Sequence, residues 1–167
     1  MNLRRLGLLA MVLIMTATSC SKDEPAVVEE VNYTIDLNLA METDWQVADE
    51  ILSLVNDHRE SIGLEPLRRD QGYASAYAVD HTKYMIDQGK ISHDNIEFRR
   101  AALKNQGAQI VTENVAYGYK TAAEVVNAWL NSPGHRKAIE GYYTHSGFGV
   151  MKDERGIYYF THIFYRK

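Results

Sequence analysis

Polar and apolar positions along the chain change period in a definite order. An unbroken apolar run, LGLLAMVLIMTA, follows the basic start MNLRR and leads through small residues to Cys20. That order predicts an export leader over residues 1–19, and the run is too short for a typical transmembrane helix. Residues 20–42, beginning CSKDEPAVVEEV, carry acidic residues, one proline and no sustained helical stripe. They read as a tether, with Val31–Leu39 expected to lie extended against the folded part. The remaining 43–167 is about 125 residues, enough for one hydrophobic core and too short for two.

Within that part the period is first helical. Thr43 and Gln46 fit a capping box ahead of Val47, Ile51, Leu54 and Val55, and Gly63 and Pro66 end the helix. Asp70 can cap a second helix, in which Ala74, Tyr77, Ala78, His81 and Met85 share one face before Gly89. The small Ala74 and Ala78 leave room for another element to approach closely. IEFRRAALKNQG predicts a shorter helix, and AQIVTENVAYGYK reads as a compact turn segment around a buried Glu113. Thr121 and Glu124 form a capping box for a helix carrying Val125, Val126, Trp129 and Leu130. Ser132 and Pro133 break it and start another short turn.

The period then falls to two. SGFGVMK and GIYYFTHIFYR read as strands joined at DERG. The second has bulky residues on both faces, which predicts a central strand covered on both sides. Helices first and an antiparallel hairpin last predict a small α/β sandwich.

Composition narrows the function. The chain has 18 Lys and Arg against 22 Asp and Glu, and removing Arg4 and Arg5 with the leader takes the net charge to about −6. A modest acidic excess without a basic block excludes nucleic acid as the expected partner. Cys20 is the only cysteine, so no disulfide within the chain is possible. TATSC with CSKDE resembles a bacterial lipoprotein box with an acidic surface-sorting signal, a resemblance that implies lipid attachment to Cys20; the alternative is a leader removed elsewhere with Cys20 incidental.

HTKYMIDQGKISHDN, ENVAYG, AWLNSPGHRKAI and the final hairpin, in that order, resemble the bacterial branch of the CAP family, the SCP-like or cysteine-rich secretory protein, antigen 5 and pathogenesis-related superfamily. The likeness spans roughly Val47–Phe164. It implies a CAP-like three-layer α-β-α sandwich with a central antiparallel sheet and a cleft holding histidine and glutamate. By position, His93 matches the first cleft histidine, Glu113 the cleft glutamate and His135 the second histidine. Ser132 stands where larger members carry a second glutamate, and Thr112 replaces the usual glycine.

Read as chemistry, two imidazoles and a carboxylate can form a first shell for Zn²⁺ or another divalent cation. The same three can form a hydrogen-bonded network with no metal. His81 reads as a packing histidine, His58 and His162 as structural, and His145 as part of the loop before the hairpin. Asn114 is assigned to backbone hydrogen bonding in a turn, Trp129 to anchoring helix on sheet, and Ser132 to capping PGHRKA. The leading expectation is an extracytoplasmic protein anchored in the cell envelope, at the outer membrane, by lipid on Cys20. Its cleft would bind a small apolar or amphipathic molecule or an envelope protein. The alternatives are a divalent-metal hydrolase of peptide, lipid or envelope material and a non-catalytic envelope scaffold.

Overall fold

The computed structural model describes residues 32–167, which form one compact unit. The leader, Cys20 and the first part of the tether lie outside the described residues. The domain starts well before Thr43. A 3-10 helix, Leu37–Glu42, is capped by Asp36 and buries Ala40, so the last three residues of Val31–Leu39 are not extended. Ahead of it, the Tyr33 ring packs on Phe98 with centroids 5.5 Å apart, and its carbonyl accepts from the Tyr77 hydroxyl.

Helix α1 covers Trp45–Ser61, and its cap is Asp44, whose carboxylate accepts from the Val47 N–H. The Thr43–Gln46 capping box does not form, because the Thr43 hydroxyl donates 2.6 Å away to the Phe148 carbonyl. Gly63 takes φ +79° past the helix end, as the sequence requires. Strand β1 is the short Arg68–Arg69. Asp70 accepts from the N–H groups of Gly72 and Ala74 and so holds the start of α2, Tyr73–Gln88. Helix α3 is Ile96–Asn105.

The turn expected around Glu113 is corrected by the fold. Ile110–Tyr117 is strand β2, paired antiparallel along its whole length with the last strand. Helix α4, Ala122–Asn131, has the expected Thr121–Glu124 capping box, and α5 is Pro133–Ile139. Strands β3, His145–Lys152, and β4, Tyr158–Arg166, form the hairpin. His145 therefore opens β3, with its ring stacked on Tyr165, and does not sit in the preceding loop.

The sheet order is β1-β3-β4-β2, with β4 central, β2 at one edge, and antiparallel pairing throughout except for the parallel β1 and β3. One face packs Phe148, Phe160 and Phe164 against α1, α4 and α5. Burying each of these rings contributes about 1.5–3 kcal/mol. The other face packs Val111, Ile163 and Tyr165 against Ala74, Tyr77 and Ala78 of α2 and Ala102 and Leu103 of α3. This is the three-layer α-β-α sandwich. The element that approaches Ala74 and Ala78 is β3, through Gly147 and Gly149, where a Cβ would overlap the α2 backbone.

Candidate functional site

The edge strand β2 sends successive side chains to opposite faces of the sheet. Glu113 enters the layer of α2 and α3, and its neighbour Asn114 enters the layer of α4 and α5. The Glu113 side chain is only 1% exposed. Burying a carboxylate is costly without paired donors, and here both oxygens are taken. Arg99 of α3 donates from Nε to Oε2 at 3.0 Å and from Nη2 to Oε1 at 2.6 Å. Nδ1 of His93, in the loop before α3, lies 2.9 Å from the same Oε1. Burial would raise the pKa of Glu113, but the bonds from His93 and Arg99 and the Arg99 charge outweigh it and hold the carboxyl below its ordinary value. The ionised carboxylate accepts only, so Nδ1 of His93 donates and Nε2 faces away from it.

Arg99 also fixes the loop. Its Nη1 donates to the Asp94 carbonyl at 2.7 Å, and Asn95 follows with φ +59°. The Asp94 carboxylate in turn accepts from the Tyr84 hydroxyl of α2 at 2.9 Å. His93 is thus held by its neighbours while its side chain stays 51% exposed.

His81 lies inside this network. Its buried ring stacks on Tyr84, places Nε2 2.8 Å from the Ser92 carbonyl and comes 3.9 Å from Glu113 Oε1. Burial, then the Arg99 charge, lowers its pKa, so at neutral pH the ring is uncharged and donates to Ser92. His81 is a packing residue with a local hydrogen bond, and also a neighbour of the carboxylate. His81 and Arg99 line a concave site of about 600 Å³ between α2 and α3, together with Tyr84, Asn95 and Phe98.

His135 arrives from the other layer. Asn114 Nδ2 donates to the His135 carbonyl at 3.0 Å, which staples the start of α5 to β2 beside Glu113. Asn114 therefore bonds backbone as expected, but from a strand to a helix and not within a turn. The His135 ring pairs through Nδ1 with Ser132 Oγ at 2.9 Å, so the serine stands at the cap position without capping through its side chain. Burial, then the charge of His93, lowers the pKa of His135. Trp129 anchors α4 with its indole N–H on the Val115 carbonyl at 3.2 Å and its ring in the core. His58 pairs with Glu140, and His162 is buried in the sheet.

The structure joins His93 and Glu113 directly, and ties His135 to the neighbouring Asn114 through its backbone carbonyl. It does not make the three a metal shell. Among the described residues no group of three His, Cys, Asp or Glu side chains is arranged to hold an ion. The physical reason is Arg99, whose guanidinium takes one lone pair of each Glu113 oxygen and whose charge repels a cation. The donor set does not fit the metal expected for it. Arg99 had a signal in the sequence: with Ala102 and Leu103 it falls on the buried stripe of α3, where an arginine must find an acid.

The sequence model described as "CAP: Cysteine-rich secretory protein family" matches residues 52–164. A Bacillus subtilis (strain 168) protein described as uncharacterized protein YkwD is 32% identical over 133 residues, 77% of this chain and 50% of that protein. The chain therefore spans half of that relative's length. Among solved structures, an outer surface protein from Borrelia burgdorferi superposes with TM-score 0.66 at 23% identity, over 73% of this chain and 93% of that one. A Bacillus anthracis str. Ames extracellular protein containing a SCP domain gives TM-score 0.62 at 29% identity, over 71% of this chain and 40% of that one.

Proposed function

The chain belongs to the CAP family, and from that premise we propose an extracytoplasmic binding protein, anchored by lipid on Cys20, that takes an amphipathic ligand beside the His93–Glu113 pair. The extracellular and outer-surface descriptions of the proteins it resembles support the location. The observation that carries the binding role is the clamping of Glu113 by Arg99 and His93. A carboxylate clamped in this way orders a wall and orients an imidazole, and the Arg99 charge beside it disfavours both a cation and a proton on it. The metal-hydrolase reading gains no support from that donor set. The neighbouring concavity supports an amphipathic ligand: Phe98, 41% exposed, and Tyr84 give it apolar surface, while Asn95, Arg99, Lys83, Asp80 and Asp87 give it polar and charged edges.

Titration of the full chain with the amphipathic dye anilinonaphthalene sulfonate, with and without a chelator, tests this. Saturable binding is expected, weakened about fivefold or more by Phe98→Ala and by His93→Ala and indifferent to chelator. Tight stoichiometric Zn²⁺ binding, lost in both His93→Ala and His135→Ala and joined to turnover of a peptide substrate, would replace the binding reading with the enzymatic one.

A further inference from the structure

A second concave site, about 710 Å³, lies against α5 and the loop after it. Thr112 of β2, Gly134, Arg136 and Lys137 of α5, and Glu140 and Tyr143 beyond it are among its lining residues, whereas His93, Glu113 and His135 are not. Its loop wall is fixed from inside. Arg59, 1% exposed, donates to the carbonyls of Ile139, Gly141 and Tyr143 at 2.6, 2.9 and 3.2 Å. The Tyr143 ring closes on Gly141 so tightly that a Cβ there would overlap it.

The charge of this site runs against that of the molecule. Glu140, its acidic residue, is engaged by His58 at 2.9 Å. Arg136 and Lys137 have no carboxylate partner among the described residues. Burial raises the pKa of Tyr143 against the opposing charge of Arg100 of α3, which is itself paired with Glu97. In a chain of net charge −4, two cations of α5 without a carboxylate partner thus line one concavity against a single carboxylate, Glu140.

We propose that this concavity binds a phosphate monoester. At neutral pH such a group carries about −1.5 to −2 charges, which matches the two unpaired cations of α5. A guanidinium offers it parallel N–H donors, and the hydroxyls of Thr112 and Tyr143 add neutral ones. The volume lies inside the range of roughly 300–1,000 Å³ common to small-molecule sites. A lipid headgroup and a soluble phosphate ester would present the same chemistry.

Calorimetry on the full chain in neutral detergent separates these sources, using glycerol phosphate, soluble dihexanoyl phosphatidic acid, and dihexanoyl phosphatidylcholine as control. Saturable, salt-weakened binding is expected for one or both phosphate monoesters and not for the choline lipid. Glycerol phosphate binding identifies a soluble ester, and binding of phosphatidic acid alone identifies a lipid headgroup. Arg136→Ala and Lys137→Ala should each weaken binding about tenfold. Gly134→Leu should block the site without unfolding, because a Cβ at Gly134 meets nothing within 4 Å. His93→Ala should leave the affinity unchanged, which separates this site from the amphipathic one. Failure of both esters to bind, equal binding of the choline lipid, undiminished binding to the Arg136→Ala/Lys137→Ala double variant, or loss on His93→Ala would overturn the proposal.

Discussion

Replacing Arg99 with methionine keeps most of the side-chain volume and removes the charge that Glu113 depends on. Both members of the pair are nearly closed to solvent, at 4% and 1% exposure, so solvent does not take over the lost role. Removing one partner of a buried pair typically costs about 3–5 kcal/mol, because the other charge is left uncompensated. Arg99→Met also frees the Asp94 carbonyl, which favours the upper part of that range. A domain near the middle of the usual range of about 5–15 kcal/mol remains folded after that loss, so urea denaturation can measure it.

The effect of pH has a definite sign. In the native protein the Glu113 pKa is lowered, so the pair's contribution is present above the unfolded carboxyl pKa of about 4.3 and is lost as pH falls through the folded value. In Arg99→Met, burial is no longer outweighed and the folded pKa rises above the unfolded one. The variant is then least impaired in acid and loses stability as pH rises through its folded pKa. The gap between variant and native protein should be widest at pH 7 and narrow by about 1 kcal/mol or more toward pH 4.5. Adding Glu113→Leu to Arg99→Met should recover most of the loss at pH 7, since an apolar pair can replace a buried ionic one. A loss below about 1 kcal/mol at pH 7, or a gap that widens in acid, would refute the reasoning.

Two further outcomes follow from the core. His162 is buried between Phe148 and Phe164, with ring centroids 4.2 and 3.8 Å away, and neither ring nitrogen has a hydrogen-bond partner among the described residues. Burial, then the Arg59 charge, pushes its pKa well below the ordinary value, so the unfolded chain takes up the proton first and stability falls as pH drops below about 6.5. His162→Phe should flatten that acid slope and gain about 2 kcal/mol over the native protein at pH 5, read by thermal or urea unfolding; an unchanged slope would show that His162 is not its source. Gly149→Ala should cost about 3 kcal/mol, because its Cβ would overlap both the oxygen and the carbon of the Ala78 carbonyl, and backbone on both sides has nowhere to move. Wild-type stability in that variant would mean that α2 does not press on β3 as closely as the structure has it.

Features that rest on local chemistry could be read along the chain. Thr121 with Glu124, Pro133 after Ser132, and the glycines at 63 and 89 mark helix ends whatever surrounds them, since caps and left-handed turns are satisfied within a few residues. The two-sided bulk of Tyr158–Arg166 marked β4 as central, and motif order led to the family and to His93, Glu113 and His135. Packing between distant segments set the rest. β2 shows no alternation of apolar and polar residues, because its polar Glu113 and Asn114 are both buried, one in each layer; only the register with β4 makes it a strand. The hydroxyl of Thr43 left its helix for the Phe148 carbonyl, and that of Ser132 turned to the His135 ring, because partners were brought near by packing. The meaning of Glu113 changed for the same reason. Along the chain it fits either a metal shell or a hydrogen-bonded network with His93 and His135, and Arg99 lies 14 positions away in sequence, yet the fold puts its guanidinium 2.6 Å from the carboxylate. Ligand, base and buried ion pair use the same residue type, and what separates them is the charge that folding sets opposite it.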